Sequence, residues 1–545
     1  MRRCVAGLIL LLGMAALAHA QTAPFDMSPE RGGSQPAAPG PAMPSVQPSP
    51  PPTQQSSPAG PAPRDAGPSR QTEGPGASAA RRFIVPGRQL VLGGETDRRS
   101  WTVNLTPEQA ETGAKLHLGY QNSIVVAPEL SSLTVTINDR QVIEQPISSA
   151  NGVTGLQAAI PPGLLRSGPN LITIGTAMRH RTDCTISSTY ELWTEIDRSR
   201  SFLAFPSGDV ARLRRVDDIA AIGSDEKGVT QFTIVAPAAD LALSTGPIIR
   251  LAEGLARMAN MPNQSVKIVS KPGQASGPGR LTIAVGPPAE LSSVMQDPPA
   301  GASVSSIAAF VDDARLGQSA LVLSGPTWDV ISAAIETIVK PVDRPTGTTR
   351  TTLTTSAWRA PDTRPFTAAG KATLGELGAL TQEFSGRRFR TDFAVGIPSD
   401  FYANAYGEAT ILLDAAYSRD VLPGSHIDVY VNGNIASTLP ITQAGGGIFR
   451  HFPVNVTLRH FRPGANVIAL EAVLLTSADA ICAPGATGLD APRFALFDTS
   501  EFRMPDFARI GRRPDLAGIS GTGFPYSRSP TPVPLLLERG SLPAL

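Results

Sequence analysis

Cysteine is nearly absent: the 545 residues hold three, and one of them, Cys4, falls in the N-terminal leader. That scarcity excludes a multi-disulfide scaffold. The six histidines form no H-x-x-x-H pair and no C-x-x-C motif occurs, so no metal site is expected. Charge of one sign is also missing, since 47 Lys and Arg stand against 46 Asp and Glu, a formal net charge of +1. Such a balance projects no long-range field toward nucleic acid or an anionic membrane, and no nucleic-acid partner is expected. After the first 20 residues no apolar run reaches the ~18 residues that a membrane-spanning helix requires. Aromatic residues make up only 6% of the chain.

Proline and glycine, by contrast, are plentiful at 51 each. Residues 1–20 carry Arg2 and Arg3, an apolar run from Val5 to Leu17 and then Ala18-His19-Ala20. These are the charged, apolar and small-residue regions of a secretory signal, so the mature chain is expected to begin near Gln21, outside the reducing cytoplasm. Residues 21–82, with QPSPPPTQQSSPAGPAP at their centre, have too little to bury and read as a disordered, partly polyproline linker.

The remainder contains one domain twice. NDRQVIEQPI and RSGPNLITI precede Cys184; NGNIASTLPI and RPGANVIAL precede Cys482. Asn138 and Asn432 each stand eight residues before a proline, and the offset between copies drifts only from 294 to 296 to 298. In the first copy, residues 83–206, short alternating runs such as Trp101–Leu105, Leu133–Ile137 and Leu171–Ile174 are separated by turn residues. Period-two alternation of this kind predicts a jelly-roll-like antiparallel β-sandwich. The second copy, residues 361–510, has strands at Ala409–Leu413, Ile427–Val431 and Val467–Leu470. Between them, residues 207–360 alternate strands (Phe232–Val235, Val266–Val269, Leu281–Val285, Leu321–Leu323) with helices over Pro247–Ala259 and Pro326–Lys340, an α/β pattern with a mainly parallel sheet. The fold class is thus mainly β with α/β. Residues 511–545 have no pattern and read as an irregular, cut-short tail.

In an exported chain with one cysteine per repeat, a disulfide between Cys184 and Cys482 is the simplest expectation. Two separate thiols, or a nucleophile formed by Cys184 with His180 and Asp183, are the other readings, and no oxyanion site marks the last of these. Val285-Gly286-Pro287-Pro288 and Ser324-Gly325-Pro326-Thr327 lie at strand ends where α/β folds place ligands, but their prolines remove the backbone N–H groups a phosphate would need. Aromatic faces able to stack on sugar rings are offered by Trp101, Tyr120, Tyr190 and Trp193 in the first copy and Tyr402, Tyr406, Tyr417 and Tyr430 in the second; core packing competes for each. No catalytic residue is singled out.

YQNSIVVAPEL from Tyr120, SSLTVTIN, HRTDC and ELWTEID, followed by a second copy ending in Cys482 and RMPDFARIGRRPDL, resemble the periplasmic B subunit of bacterial cellulose synthase over about residues 83–525. The resemblance implies a non-catalytic, exported subunit in which carbohydrate-binding-like sandwiches alternate with flavodoxin-like α/β domains. Its partners would be the membrane glycosyltransferase that makes β-1,4-glucan from UDP-glucose and the nascent cellulose itself. It would lie in the periplasm and associate with the inner membrane through the complex. Family members end in a second α/β domain and a transmembrane anchor, which this chain is expected to lack. The family is also catalogued as binding cyclic di-GMP; because that nucleotide is cytosolic, the catalytic subunit is read as its receptor and no cofactor is expected here. A free secreted lectin-like protein is the alternative, with a carbohydrate-active enzyme behind it.

Overall fold

The computed structural model describes residues 80–510 apart from 86–89, 238–240, 274–276, 344–363, 399, 403–406 and 481–490. The leader, almost all of the expected linker, the tail, Tyr406 and Cys482 lie outside the described residues. The described residues belong to one compact unit.

Alternation of apolar and polar side chains builds the first β-domain. In strand Ser132–Ile137 every second residue is buried, and the strand joins Thr96–Leu105, Gly168–Ala177 and Arg140–Pro146 in a four-stranded antiparallel sheet. The facing sheet runs Ala80–Phe83, Trp193–Phe205, Lys115–Asn122, Thr154–Ala159, with Leu90–Gly93 also paired to Trp193–Phe205. Leu118, Leu133, Val135, Ile137 and Ile174 fill the space between. The first described strand opens at Ala80, so residues 80–82, expected in the linker, are sheet; Ala80 and Arg82 are buried against Phe205 and Leu203 across the ladder.

The second β-domain repeats this frame. Arg388–Ile397, Gly464–Val473, His426–Val431 and Asn434–Pro440 form one sheet, with Arg364–Pro365 added at its edge. The other is centred on Glu408–Tyr417. The repeat extends to single hydrogen bonds. Asn138 Nδ2 donates to Leu164 O (2.8 Å) and Asn170 Oδ1 (2.9 Å), and Asn432 Nδ2 donates to His460 O (2.9 Å) and Asn466 Oδ1 (2.8 Å). Asn170 and Asn466 each donate to two carbonyls and accept from an arginine N–H four residues before. Asn138 and Asn432 have φ of 48° and 51°, a left-handed turn that asparagine tolerates and the network holds.

Residues between the sandwiches form a five-stranded sheet. Thr230–Val235, Gln264–Val269, Arg280–Val285 and Gly317–Ser324 are parallel, and Ile307–Asp313 is antiparallel at one edge. Numbered along the chain the order is 2-1-3-5-4; the first three strands follow the flavodoxin order and the last two close as a hairpin instead. Sequence periodicity passed over Ile307–Asp313 because its residues are half-buried, without clean alternation. Helix Leu241–Ala259 starts before Pro247, which lies inside it and forgoes one backbone bond. Helix Trp328–Val339 is capped by Thr327, whose hydroxyl accepts from Val330 N–H. Both helices cover one face through Ile248, Leu251, Leu255, Ile331 and Ile335. No helix among the described residues is long and apolar enough to cross a membrane.

Charged groups lock the two sandwiches together. Glu95 and Arg387, with side chains 1% and 3% exposed, pair at 2.9 Å, and Arg387 N–H also donates to Glu95. Arg388 donates to Thr189 Oγ1 (2.9 Å), to Thr189 O (3.1 Å) and to Glu471 (3.1 Å), while Arg390 reaches Glu471 at 3.0 Å. Tyr190 lies under the Arg388 guanidinium at 3.9 Å and donates to Glu471 Oε1 at 2.5 Å.

Candidate functional site

The aromatic candidates separate by burial. Trp101 is 2% exposed, with its indole N–H given to Ile84 O at 2.6 Å, and Tyr120 is 1% exposed beneath Ser148 N–H. Both are core residues of the first sandwich, so neither has a face to offer a sugar. Tyr190 is committed to the junction described above. Trp193 and Tyr430 are half-buried, the latter facing Arg390 at 5.4 Å. Tyr402 is exposed on the two-residue strand Phe401–Tyr402. Tyr406 is outside the described residues.

Tyr417, half-buried against the second sandwich's core, belongs to an aromatic group on a sheet edge. Strand Gly447–Thr457 pairs on one side with Glu408–Tyr417 and has no further strand beside it among the described residues. Along this edge Tyr417 and Phe449 have ring centroids 5.7 Å apart, and Phe449 and Phe452 5.4 Å apart, with Ile448 exposed next to them. The equivalent edge strand of the first copy, Thr154–Ala159, reads TGLQAA and carries no aromatic residue.

The two copies also differ under this edge. In each, a serine hydroxyl crosses a bulge in the central strand: Gly119 N–H donates to Ser201 Oγ at 3.1 Å, and Asp414 N–H donates to Ser500 Oγ at 2.8 Å. In the first copy the bulge is closed, because a Cβ at Gly119 would lie 2.5 Å from that of Arg200. In the second, Asp414 stands at that place and its carboxylate accepts from His451 N–H (2.6 Å), the His451 ring (2.9 Å) and Thr499 (2.7 Å). Burial pushes the Asp414 carboxyl up, but these donors outweigh it and hold it below its ordinary value. They also hold His451 in a left-handed conformation, φ 46°, that a residue with a Cβ rarely adopts. The imidazole is 60% exposed, directly beside Phe452 in the chain. The second copy therefore adds an aromatic run and a fixed polar pair to a frame that the first copy leaves bare. Sequence reasoning found Tyr417 but missed Phe449, Phe452, Asp414 and His451. Aligning the two edge strands, GIFRHF against TGLQAA, would have pointed to them.

The remaining candidates have structural roles. Cys184 is disulfide-bonded, which removes the free-thiol and nucleophile readings; Cys482 is outside the described residues. His180 Nδ1 accepts from Asp183 N–H at 2.9 Å and Asp183 accepts from Thr185, so both shape the loop that carries the cysteine. At the α/β strand ends Ser324 Oγ donates to Gly286 O and Pro288 opens the short helix Pro288–Leu291. Among the described residues no group of His, Cys, Asp and Glu is placed to hold a metal ion.

Two family models match the chain, described as cellulose synthase BcsB, first CBM domain, over residues 78–208, and cellulose synthase BcsB, second CBM domain, over 371–501. No curated protein matches it. Among solved structures, the sugar-binding C-terminal domain of EclA is 10% identical, with a TM-score of 0.14 over 24% of this chain and 84% of that one. An exo-β-1,3-galactanase from Phanerochaete chrysosporium is 17% identical, with a TM-score of 0.15 over 24% and 30%. A GH26-CBM35 β-(1,4)-mannanase from Podospora anserina is 10% identical, with a TM-score of 0.13 over 37% and 42%. Scores of that size carry no argument, and the architecture rests on the strand pairing itself.

Proposed function

Because the chain belongs to the cellulose synthase BcsB family, we propose that it is a non-catalytic accessory subunit of a β-1,4-glucan synthase, and that the aromatic edge of its second sandwich receives the polymer. The observation that carries this reading is the edge run of half-buried Tyr417 and Phe449 leading to exposed Phe452, beside the Asp414–His451 pair. A glucan chain presents apolar C–H faces ringed by hydroxyls. Aromatic rings cover such faces, and a fixed imidazole with an adjacent arginine, Arg450, supplies hydrogen bonds to the hydroxyls. A shallow open edge holds each sugar weakly, which suits a polymer that has to slide.

In this reading the chain works outside the cytoplasm, held at the membrane through the glycosyltransferase that consumes UDP-glucose. Cyclic di-GMP acts on that cytosolic partner. The α/β domain, related to flavodoxin in its first three strands, serves as a spacer between the sandwiches. Cys184 pairs with Cys482, its counterpart in the repeat, closing the junction where Arg387 donates to Thr185 O at 3.4 Å.

The test is sedimentation of the mature chain with insoluble cellulose. Phe449→Ala with Phe452→Ala should weaken binding about tenfold, the loss expected for two ring contacts, while Tyr402→Ala should not. In membranes co-expressing the glycosyltransferase, the same double variant should co-purify yet lower glucan output from UDP-glucose. Undiminished binding by the double variant would remove the edge from the proposal. Full binding without co-purification of any synthase would favour a free lectin.

A further inference from the structure

A cavity of about 840 Å3 lies between the first sandwich and the α/β domain, on a different part of the molecule from the aromatic edge. Its wall includes Arg82 from the domain's first strand and Thr282 from the parallel sheet. Arg82 is 6% exposed, yet its Nε and Nη1 are buried without a hydrogen-bond partner, and Nη2 makes one long bond to Asn104 O at 3.4 Å. The guanidinium occupies space that only a glycine leaves open, since a Cβ at Gly223 would fall 1.0 Å from Nη1. Thr282 Oγ1 is likewise buried and unpartnered.

Of the carboxylates on the wall, Asp209 pairs with Arg212 at 2.8 Å and Asp225 faces Arg280 at 3.8 Å, while Glu226 is exposed and accepts no hydrogen bond from Arg82 Nε or Nη1. Burial pushes Arg82 down to about 10, which still leaves it cationic at neutral pH. A buried charge with no counter-charge is costly, and a guanidinium cannot shed its proton to escape. The free Nε–H and Nη1–H donors lie on different edges of the planar guanidinium, and each matches an oxygen of a phosphate or carboxylate. Lys227 and Arg81, both exposed on the same wall, add positive charge beside the paired Arg212 and Arg280.

We propose that this cavity binds an oxyanion, a phosphate or carboxylate group carried by a small molecule, with Arg82 as its buried anchor, Thr282 as a hydroxyl donor and Lys227 at the entrance. Nothing in the glucan reading is needed for it.

The experiment is calorimetric titration and thermal melting of the full mature chain with inorganic phosphate and, separately, malonate, against chloride at equal ionic strength. Saturable binding of at least one anion is expected, weakened at least tenfold in Arg82→Met. Arg82→Met should also melt higher than wild type in chloride, because the unmatched charge is gone. Should Arg82→Met not fold, Thr282→Val and Lys227→Gln carry the test, each expected to weaken binding threefold or more. Phosphate alone would identify a phosphorylated ligand and malonate alone a carboxylate. The Phe449→Ala, Phe452→Ala variant should bind the anion as wild type does. No saturable effect beyond chloride, or an effect undiminished in these variants, overturns the proposal.

Discussion

Glu471 shows how one side chain can bind two domains. Its carboxylate is 1% exposed and receives Tyr190 from one sandwich and Arg388 and Arg390 from the other. Burial pushes its carboxyl up, but the Tyr190 and Arg390 hydrogen bonds and the two guanidinium charges outweigh it and hold it below the ordinary carboxylate range. A carboxyl depressed in the folded state adds stability above its unfolded value and loses it as pH falls through the folded one. Glu471→Gln should therefore cost about 3 kcal/mol at pH 7, and the difference from wild type should shrink below roughly pH 4. Denaturant melts at several pH values measure this; a constant difference down to about pH 3 would show that the charge is not what matters. Tyr190 was legible in the sequence as an aromatic candidate, but its task was not. A ring that stacks on an arginine supplied from the other domain, with Arg388 Cζ 3.9 Å from the Tyr190 centroid, looks the same in sequence as one awaiting a sugar.

At the scale of strands and turns, the repeated asparagine pair lets the two copies be compared directly. Asn170 and Asn466 are 1% and 0% exposed and satisfy the same backbone groups in both domains. Asn170→Ala and Asn466→Ala should each lower stability by about 2–3 kcal/mol through the unpaired carbonyls and N–H groups left behind, as read in urea melts. Markedly unequal losses would mean the turns are not equivalent. These elements were the most legible part of the chain. Their alternation writes the buried face into the sequence, and the asparagine spacing marks the turns. Strand Ile307–Asp313 and the start of helix Leu241–Ala259 were not legible: the first is half-buried at a sheet edge, and the second runs through a proline.

For the whole molecule, the sandwiches are expected to unfold together. Glu95 and Arg387 are both buried, so removing one leaves the other uncompensated. Glu95→Gln should cost about 3–5 kcal/mol and split one calorimetric transition into two, whereas Glu95→Met combined with Arg387→Met should lose less than either single change. A single unshifted transition in Glu95→Gln would show that the junction does not couple the domains. The mature chain should also contain no thiol that alkylates before reduction, and Cys184→Ser should expose one. Two free thiols in the unreduced wild type would rule out the Cys184–Cys482 pairing.

Alternation and internal repetition determined the two sandwiches and the α/β layer between them, because each is written in local spacing that burial enforces. Only the tertiary structure decided which aromatic residues face solvent. It also showed that the second copy's edge differs from the first, and that Arg82 is buried beside a cavity with its Nε and Nη1 unpartnered. The physical reason is that exposure and charge pairing depend on residues hundreds of positions apart, as between Glu95 and Arg387, and no local pattern records them.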